Sequence, residues 1–156
     1  MTPLFLQDAI VKELKELFAD FLAEKEDGSF VSPSVYKQEL PYQEGVGDDD
    51  PSRMPYIIVK LLNGETSEYT EPSSVNVALV ICAYDDEIKR HGYIDVINMI
   101  SKIYERFMKN RYLGGYFEFT LPFEWAVQDE ELYPYFYGVV QMAFNCPNII
   151  REDSLS

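Results

Sequence analysis

Phe117-Glu118-Phe119-Thr120-Leu121-Pro122-Phe123-Glu124 is the stretch that decides the fold. Phe117, Phe119, Leu121 and Phe123 alternate with Glu118, Thr120 and Glu124, the two-residue period of a strand with one buried face. Tyr135 to Phe144 repeats that period, with Phe136, Val140, Met142 and Phe144 on one side. The acidic, prolyl segment Val127-Gln128-Asp129-Glu130-Glu131-Leu132-Tyr133-Pro134 joins the two.

Upstream lie two further strands. Met54-Pro55-Tyr56-Ile57-Ile58-Val59-Lys60-Leu61-Leu62 is almost continuously apolar, and Val75, Val77, Leu79, Ile81 and Ala83 share one face of the next strand. The polar link Asn63-Gly64-Glu65-Thr66-Ser67-Glu68 permits antiparallel pairing between them. Between the strand pairs the spacing predicts a helix over 92–110, with Tyr93, Ile97, Ile100, Tyr104 and Phe107 on its apolar arc. Lys102, Arg106 and Lys109 fall on the opposite arc with Asp95 and Asn98. At the start of the chain, Leu6, Ile10, Leu14, Leu17, Phe18 and Phe21 predict an amphipathic helix over 3–25. Thr2 is its expected cap, and Pro3 fits its first position, where a missing N–H costs nothing. Glu26-Asp27-Gly28-Ser29 stops it.

Residues 26–53 read as a long loop containing Pro33, Pro41 and Pro51, with a faint strand signal at Phe30–Tyr36. Its second half carries Glu39, Glu44, Asp48, Asp49 and Asp50 and no base before Arg53. Long loops in compact domains are usually functional or mobile. The order helix, two strands, helix, two strands predicts an α+β fold, with a mostly antiparallel sheet of about four to five strands flanked by two helices. At 156 residues the chain is expected to be one domain over 1–156, long enough to bury its own core.

Hydrophobic residues make up 47% of the chain, which excludes a disordered polymer despite its net charge of −14. That charge argues against a clamp that works by neutralising phosphates, and against docking on anionic lipid. No apolar run reaches the roughly 20 residues of a membrane span. Met1 to Asp8 lacks a basic leader and meets acid early, so no signal peptide is expected. Cys82 and Cys146 lie within apolar runs and read as reduced core thiols.

No motif of enzymatic chemistry emerges. Phosphate loops of the GxxxxGK[ST] and GxGxxG kinds and the GxSxG elbow are missing from the sequence. Gly45-Val46-Gly47 precedes three aspartates that repel phosphate. The single histidine, His91, stands beside Lys89 and Arg90 at a helix start, where its protonated form is disfavoured, a poor place for a general base. Asp48-Asp49-Asp50-Pro51-Ser52-Arg53 puts arginine where a calcium loop needs glycine, and it reads as a solvated acidic loop. Asp85-Asp86 ends a strand. Neither catalytic residues nor a metal or cofactor site is therefore expected. The aromatics, Trp125 included, read as core.

Charge segregation is the remaining signal. The segments 39–50, 65–71 and 128–131 are acidic, whereas 89–111 carries six of the thirteen basic residues. This pattern predicts head-to-tail association between copies, the basic helix face (Lys102, Arg106, Lys109) being the candidate subunit interface. The loop bearing Glu44, Asp48, Asp49 and Asp50 is the candidate lumen lining or partner contact.

Val77-Ala78-Leu79-Val80-Ile81-Cys82-Ala83-Tyr84-Asp85 leads into Gly92-Tyr93-Ile94-Asp95-Val96-Ile97-Asn98-Met99-Ile100, and Phe119-Thr120-Leu121-Pro122-Phe123-Glu124-Trp125 leads into Tyr133-Pro134-Tyr135-Phe136-Tyr137-Gly138. Over about 55–146 this order resembles the phage and prophage tail-terminator (minor tail protein, tail-completion) family of long-tailed phages. The resemblance implies a non-enzymatic virion protein that assembles in the host cytoplasm and resides in the tail. It implies a homo-hexameric ring that ends the tail tube, touches the tube protein and the head-side connector protein, and lets DNA pass through. No membrane and no cofactor are implied. The alternatives are an acidic DNA mimic of phage origin that inhibits a host protein, which needs its carboxylates along one elongated face, and a small hydrolase using paired acids.

Overall fold

The computed structural model describes residues 3–24, 29–85, 92–128 and 132–147. Helix α1 (Pro3–Leu17) is followed by the short strands β1 (Ala23–Glu24), β2 (Phe30–Val31) and β3 (Ser34–Lys37). The strands β4 (Tyr56–Glu65) and β5 (Ser73–Tyr84), the helix α2 (Gly92–Lys109), and the strands β6 (Tyr112–Leu113), β7 (Phe117–Val127) and β8 (Tyr135–Cys146) complete the chain. The fold is α+β, with two helices against one face of a curled, mixed sheet in the order β3-β4-β5-β8-β7-β6. Its pairings are antiparallel except β3 with β4.

The sheet is thus larger than the four to five strands expected. The difference lies in the 26–53 stretch, which supplies β3 as an edge strand parallel to β4. Parallel neighbours need a long crossover, and residues 38–55 provide one without a helix of any length. Only a 3₁₀ turn, Pro51–Arg53, interrupts it. The first helix is also shorter than predicted. Beyond Leu17 the backbone tightens, with Phe21 N–H bonding to Phe18 O at 3.1 Å, and Ser32 Oγ–H caps Ala19 O at 3.1 Å. Strand β1 then pairs antiparallel with β2 where the helix was expected, and Glu26, Asp27 and Gly28 of the expected stop lie outside the described residues. Phe18 still enters the core, and Phe21 stacks edge-on to it at 5.4 Å. Thr2, the expected cap, lies outside the described residues.

Strand β5 follows the predicted period: Val75, Val77, Leu79, Ile81 and Ala83 are all buried under the helices. So are Phe136, Val140, Met142 and Phe144 on β8. Two glycines let α2 approach closely, because a Cβ at Gly138 would lie 2.6 Å from Val96 Cγ1 and one at Gly92 would lie 2.3 Å from the Phe136 ring.

Helix α2 is rotated relative to the expected arc. Val96, Met99, Ile100, Ile103 and Phe107 face the sheet, whereas Tyr93 and Tyr104 are 53% and 44% exposed. The seam runs one residue away from the predicted tyrosine row, toward the smaller side chains that the close approach at Gly138 admits. In β7 the alternation holds for Phe117 and Phe119 and then breaks. Residues 121–123 oppose Met142 alone, since Thr120 pairs with Ala143 and Glu124 with Gln141. That bulge turns Leu121 outward to 64% exposure.

Candidate assembly surface

The basic residues of α2 do not form a free face. Arg106 Nη1 donates to Glu13 Oε1 of α1 at 2.8 Å, and the Lys102 ammonium stands 5.8 Å over the Phe21 ring. Arg106 thus ties α2 to α1, Lys102 covers the segment that follows α1, and Lys109 is left exposed at the end of α2. Lys89 and Arg90 lie outside the described residues, as do His91, Asp86, Glu87 and Asp129–Glu131.

The acidic loop lies on the opposite face of the sheet. Tyr56, Ile58 and Cys82 form a second, smaller core there with Met54, and Leu40, Tyr36 and Tyr137 pack on it. Arg53 anchors the loop. Its buried guanidinium donates to Asp48 Oδ1 at 3.2 Å through Nη1 and to Pro41 O through Nη2. Asp50 caps the 3₁₀ turn, accepting from Ser52 N–H at 2.9 Å and Ser52 Oγ–H at 2.7 Å. Those hydrogen bonds hold its carboxyl below the ordinary carboxylate value. Glu44 and Asp49 are exposed. The acidic loop and the basic helix therefore sit on opposite faces of one sheet, and the structure does not bring them together.

Beneath the loop, burial pushes the Cys82 thiol up to about 12, against two tyrosine hydroxyls, Tyr137 and Tyr56, that bond to it. A thiol so protonated is a packing group, not a nucleophile. Cys82 and Cys146 are both free and buried. Among the described residues no group of three or more His, Cys, Asp or Glu side chains is arranged to hold a metal. No described helix is long and apolar enough to cross a membrane.

The surface that sequence reasoning missed lies where α2 meets the second half of β7. Ile97, Tyr104, Glu105, Phe123 and Trp125 line a groove of about 480 Å³ there. Phe123 stacks edge-on to Tyr104 at 5.2 Å. Trp125, expected in the core, is 55% exposed, and Tyr93, Ile94 and Val127 are also exposed. Exposed apolar side chains at a groove on an otherwise highly charged chain make this the candidate interaction surface. The one available signal was Pro122 inside a strand, which proline tolerates only at an edge or a bulge.

No protein-family model matches the chain, and no curated protein matches it. A solved structure of 9% sequence identity matches over 97% of this chain and 99% of its own, with a TM-score of 0.59. At that identity the likeness shows the fold alone.

Proposed function

We propose that this chain is a structural subunit of a long-tailed phage or prophage. In this reading it forms a ring, a homo-hexamer, that terminates the tail tube and joins it to the head-side connector protein. The observation that carries the reading is the exposed apolar surface over α2 and β7, because an acidic chain that leaves Trp125, Tyr93 and Val127 in water is built to cover them with protein. The order of motifs over 55–146 supports the same family. The tube protein and the connector are the further partners, and DNA meets the ring only in passing. The exposed carboxylates of Glu44 and Asp49 suit a surface that a duplex slides past, since like charge keeps it from adhering. Assembly in the host cytoplasm and residence in the virion tail follow from the role. Negative-stain micrographs of the concentrated chain are expected to show rings with a central hole. Isolated particles at every concentration overturn the reading.

A further inference from the structure

Among the described residues, β3 on one side of the sheet and the second half of β7 on the other carry no further strand, and these two edges match. On one side β3 has β4 as its one strand neighbour; on the other, β7 pairs only with β8 once past Phe119, whose N–H bonds to Arg111 O at 2.8 Å. Ser34 N–H bonds to Pro55 O at 3.1 Å and Gln38 N–H to Val59 O at 2.8 Å, which turns residues 34, 36 and 38 inward. The N–H and C=O of Val35 and the N–H of Lys37 therefore face outward, because successive residues of a strand alternate, whereas Lys37 O already accepts from Glu39 N–H at 2.7 Å. On β7, Gln128 N–H bonds to Tyr137 O at 3.1 Å, so the backbone groups of Trp125 and Val127 face outward by the same alternation.

These outward residues occupy the same rows of the sheet. One row runs Val35, Ile57, Ile81, Gly138, Val127; another runs Lys37, Val59, Leu79, Val140, Trp125. Neither crosses a bulge. Strand β3 also runs antiparallel to β7, because it is parallel to β4 and three antiparallel steps separate β4 from β7.

We infer that the outer edge of β7 at Trp125–Val127 takes up β3 of a second copy, so that the sheet continues from one copy into the next. This rests on the ring reading above and names the surface through which the ring closes. Without any offset in row, Trp125 stands opposite Lys37 of the second copy and Val127 opposite its Val35. Val35 and Val127 face each other with both backbone bonds open, Lys37 offers its N–H to Trp125 O, and all four side chains lie on the helix-covered face, the geometry of hydrogen-bonded antiparallel pairs. An ammonium beside an indole and valine beside valine are both favourable neighbours. The contact is heterologous, one edge against the other, as a ring requires.

The flanking charges agree. Asp8 of α1 pairs with Lys37, which fixes that flank of α1 beside β3. Lys12 and Lys15, one and two turns further along, are exposed. In the second copy this basic flank comes to lie over the groove between α2 and β7, where Glu105 is exposed and Tyr104 and Trp125 supply the apolar floor. Edge strands that remain monomeric usually carry an outward lysine or are covered. Glu124-Trp125-Ala126-Val127 carries no lysine, no described segment covers it, and the bulge and Pro122 of β7 lie before it.

Two experiments on the full chain test this. Val127→Pro removes an outward N–H and leaves every bond to β8 in place, so circular dichroism and the melting temperature are expected to stay near wild type. Sedimentation velocity across a concentration series is expected to show the dissociation constant raised by about tenfold or more. Assembly equal to wild type overturns the edge contact. Independently of how that variant folds, the double variant Trp125→Cys/Lys37→Cys, altered at two exposed positions, is expected to give a ladder of disulfide-linked oligomers under mild oxidation. Mixing the two single variants is expected to stop at dimers. Wild-type rings without such a ladder overturn the edge contact and leave the ring reading standing. Wild type that sediments only as monomer overturns both.

Discussion

Gly138→Ala tests the close approach of α2 to β8, because two arguments give its effect opposite signs. In an ordinary strand the exchange is stabilising by about 0.5–1 kcal/mol, since alanine loses less backbone freedom on folding. At Gly138 the added methyl would lie 2.6 Å from Val96 Cγ1 and 3.2 Å from Ile100 Cδ1. Carbon atoms normally approach to about 3.5–4.0 Å, so α2 or its side chains must give way by the better part of an ångström. Val96 is fully buried and Ile100 nearly so, which leaves neither a free direction to move. Overpacking of this kind costs about 1–3 kcal/mol, and two such neighbours outweigh the entropic gain. The net expectation is a loss of about 1–2 kcal/mol, which for a chain of this size lowers the melting temperature by about 2–8 °C. Thermal and urea denaturation measure it. Val96→Ala in the same chain removes the nearest clashing atom, so the double variant is expected to lose less than the two single variants together, with a coupling of about 0.5–3 kcal/mol. A Gly138→Ala chain that melts at or above wild type, or that adds simply with Val96→Ala, refutes the packing argument.

The anchoring of the acidic loop predicts an asymmetric result for one ion pair. Arg53→Ala strips a buried guanidinium and leaves Pro41 O without its donor, a loss of about 1–3 kcal/mol in urea denaturation, with earlier proteolysis within 38–55. Asp48→Asn, on the exposed partner, is expected to cost less than about 1 kcal/mol. Acid titration separates two carboxylates. Glu118 is held below its ordinary value by hydrogen bonds from Tyr112 and Asn145, so the stability it contributes is present above that ordinary value and lost as pH falls through the lowered one. Glu118→Gln is therefore expected to flatten the acid limb of the urea midpoint. Asp95 is raised by burial and by the charge of Asp85, so Asp95→Asn is expected to stabilise the chain at neutral pH, the gain fading as acid protonates the wild-type carboxyl.

The central strands were legible because their side chains report burial directly. In β5 and β8 every second residue is buried under the helices, and the two-residue period shows that without knowledge of the partners. Phe117 and Phe119 were legible for the same reason. Leu121 was not, because a bulge leaves the apolar count of a strand unchanged while turning one member outward. The arc of α2 was misplaced because tyrosines score as apolar, and the close approach at Gly138 selects Val96 and Ile100 as its neighbours, which a periodicity argument does not see. Strand β3 was barely legible: four residues pair in parallel with β4 across a connection whose composition reads as coil.

The site was less legible than the fold, because charge can be read from a sequence and edges cannot. Lys102, Arg106 and Lys109 stand out in one dimension, yet Arg106 is occupied by Glu13 within the same chain. What identifies a free edge is strand order, and that depends on β3 joining β4 and on β6 pairing with no more of β7 than its first residues. The energies point the same way. An exposed ion pair contributes about 0–1 kcal/mol and is screened by salt. Each backbone hydrogen bond closed at an edge adds about 0.5–1.5 kcal/mol, comes in register with its neighbours, and carries side-chain burial with it. With a net charge of −14 on every copy, long-range electrostatics oppose self-association. The lysines on the flank of α1 can steer the approach of a second copy, but the edge must hold it. In the proposed assembly segregated charge is then a guide to orientation, and the outward rows at Val35, Lys37, Trp125 and Val127 are where the contact would form.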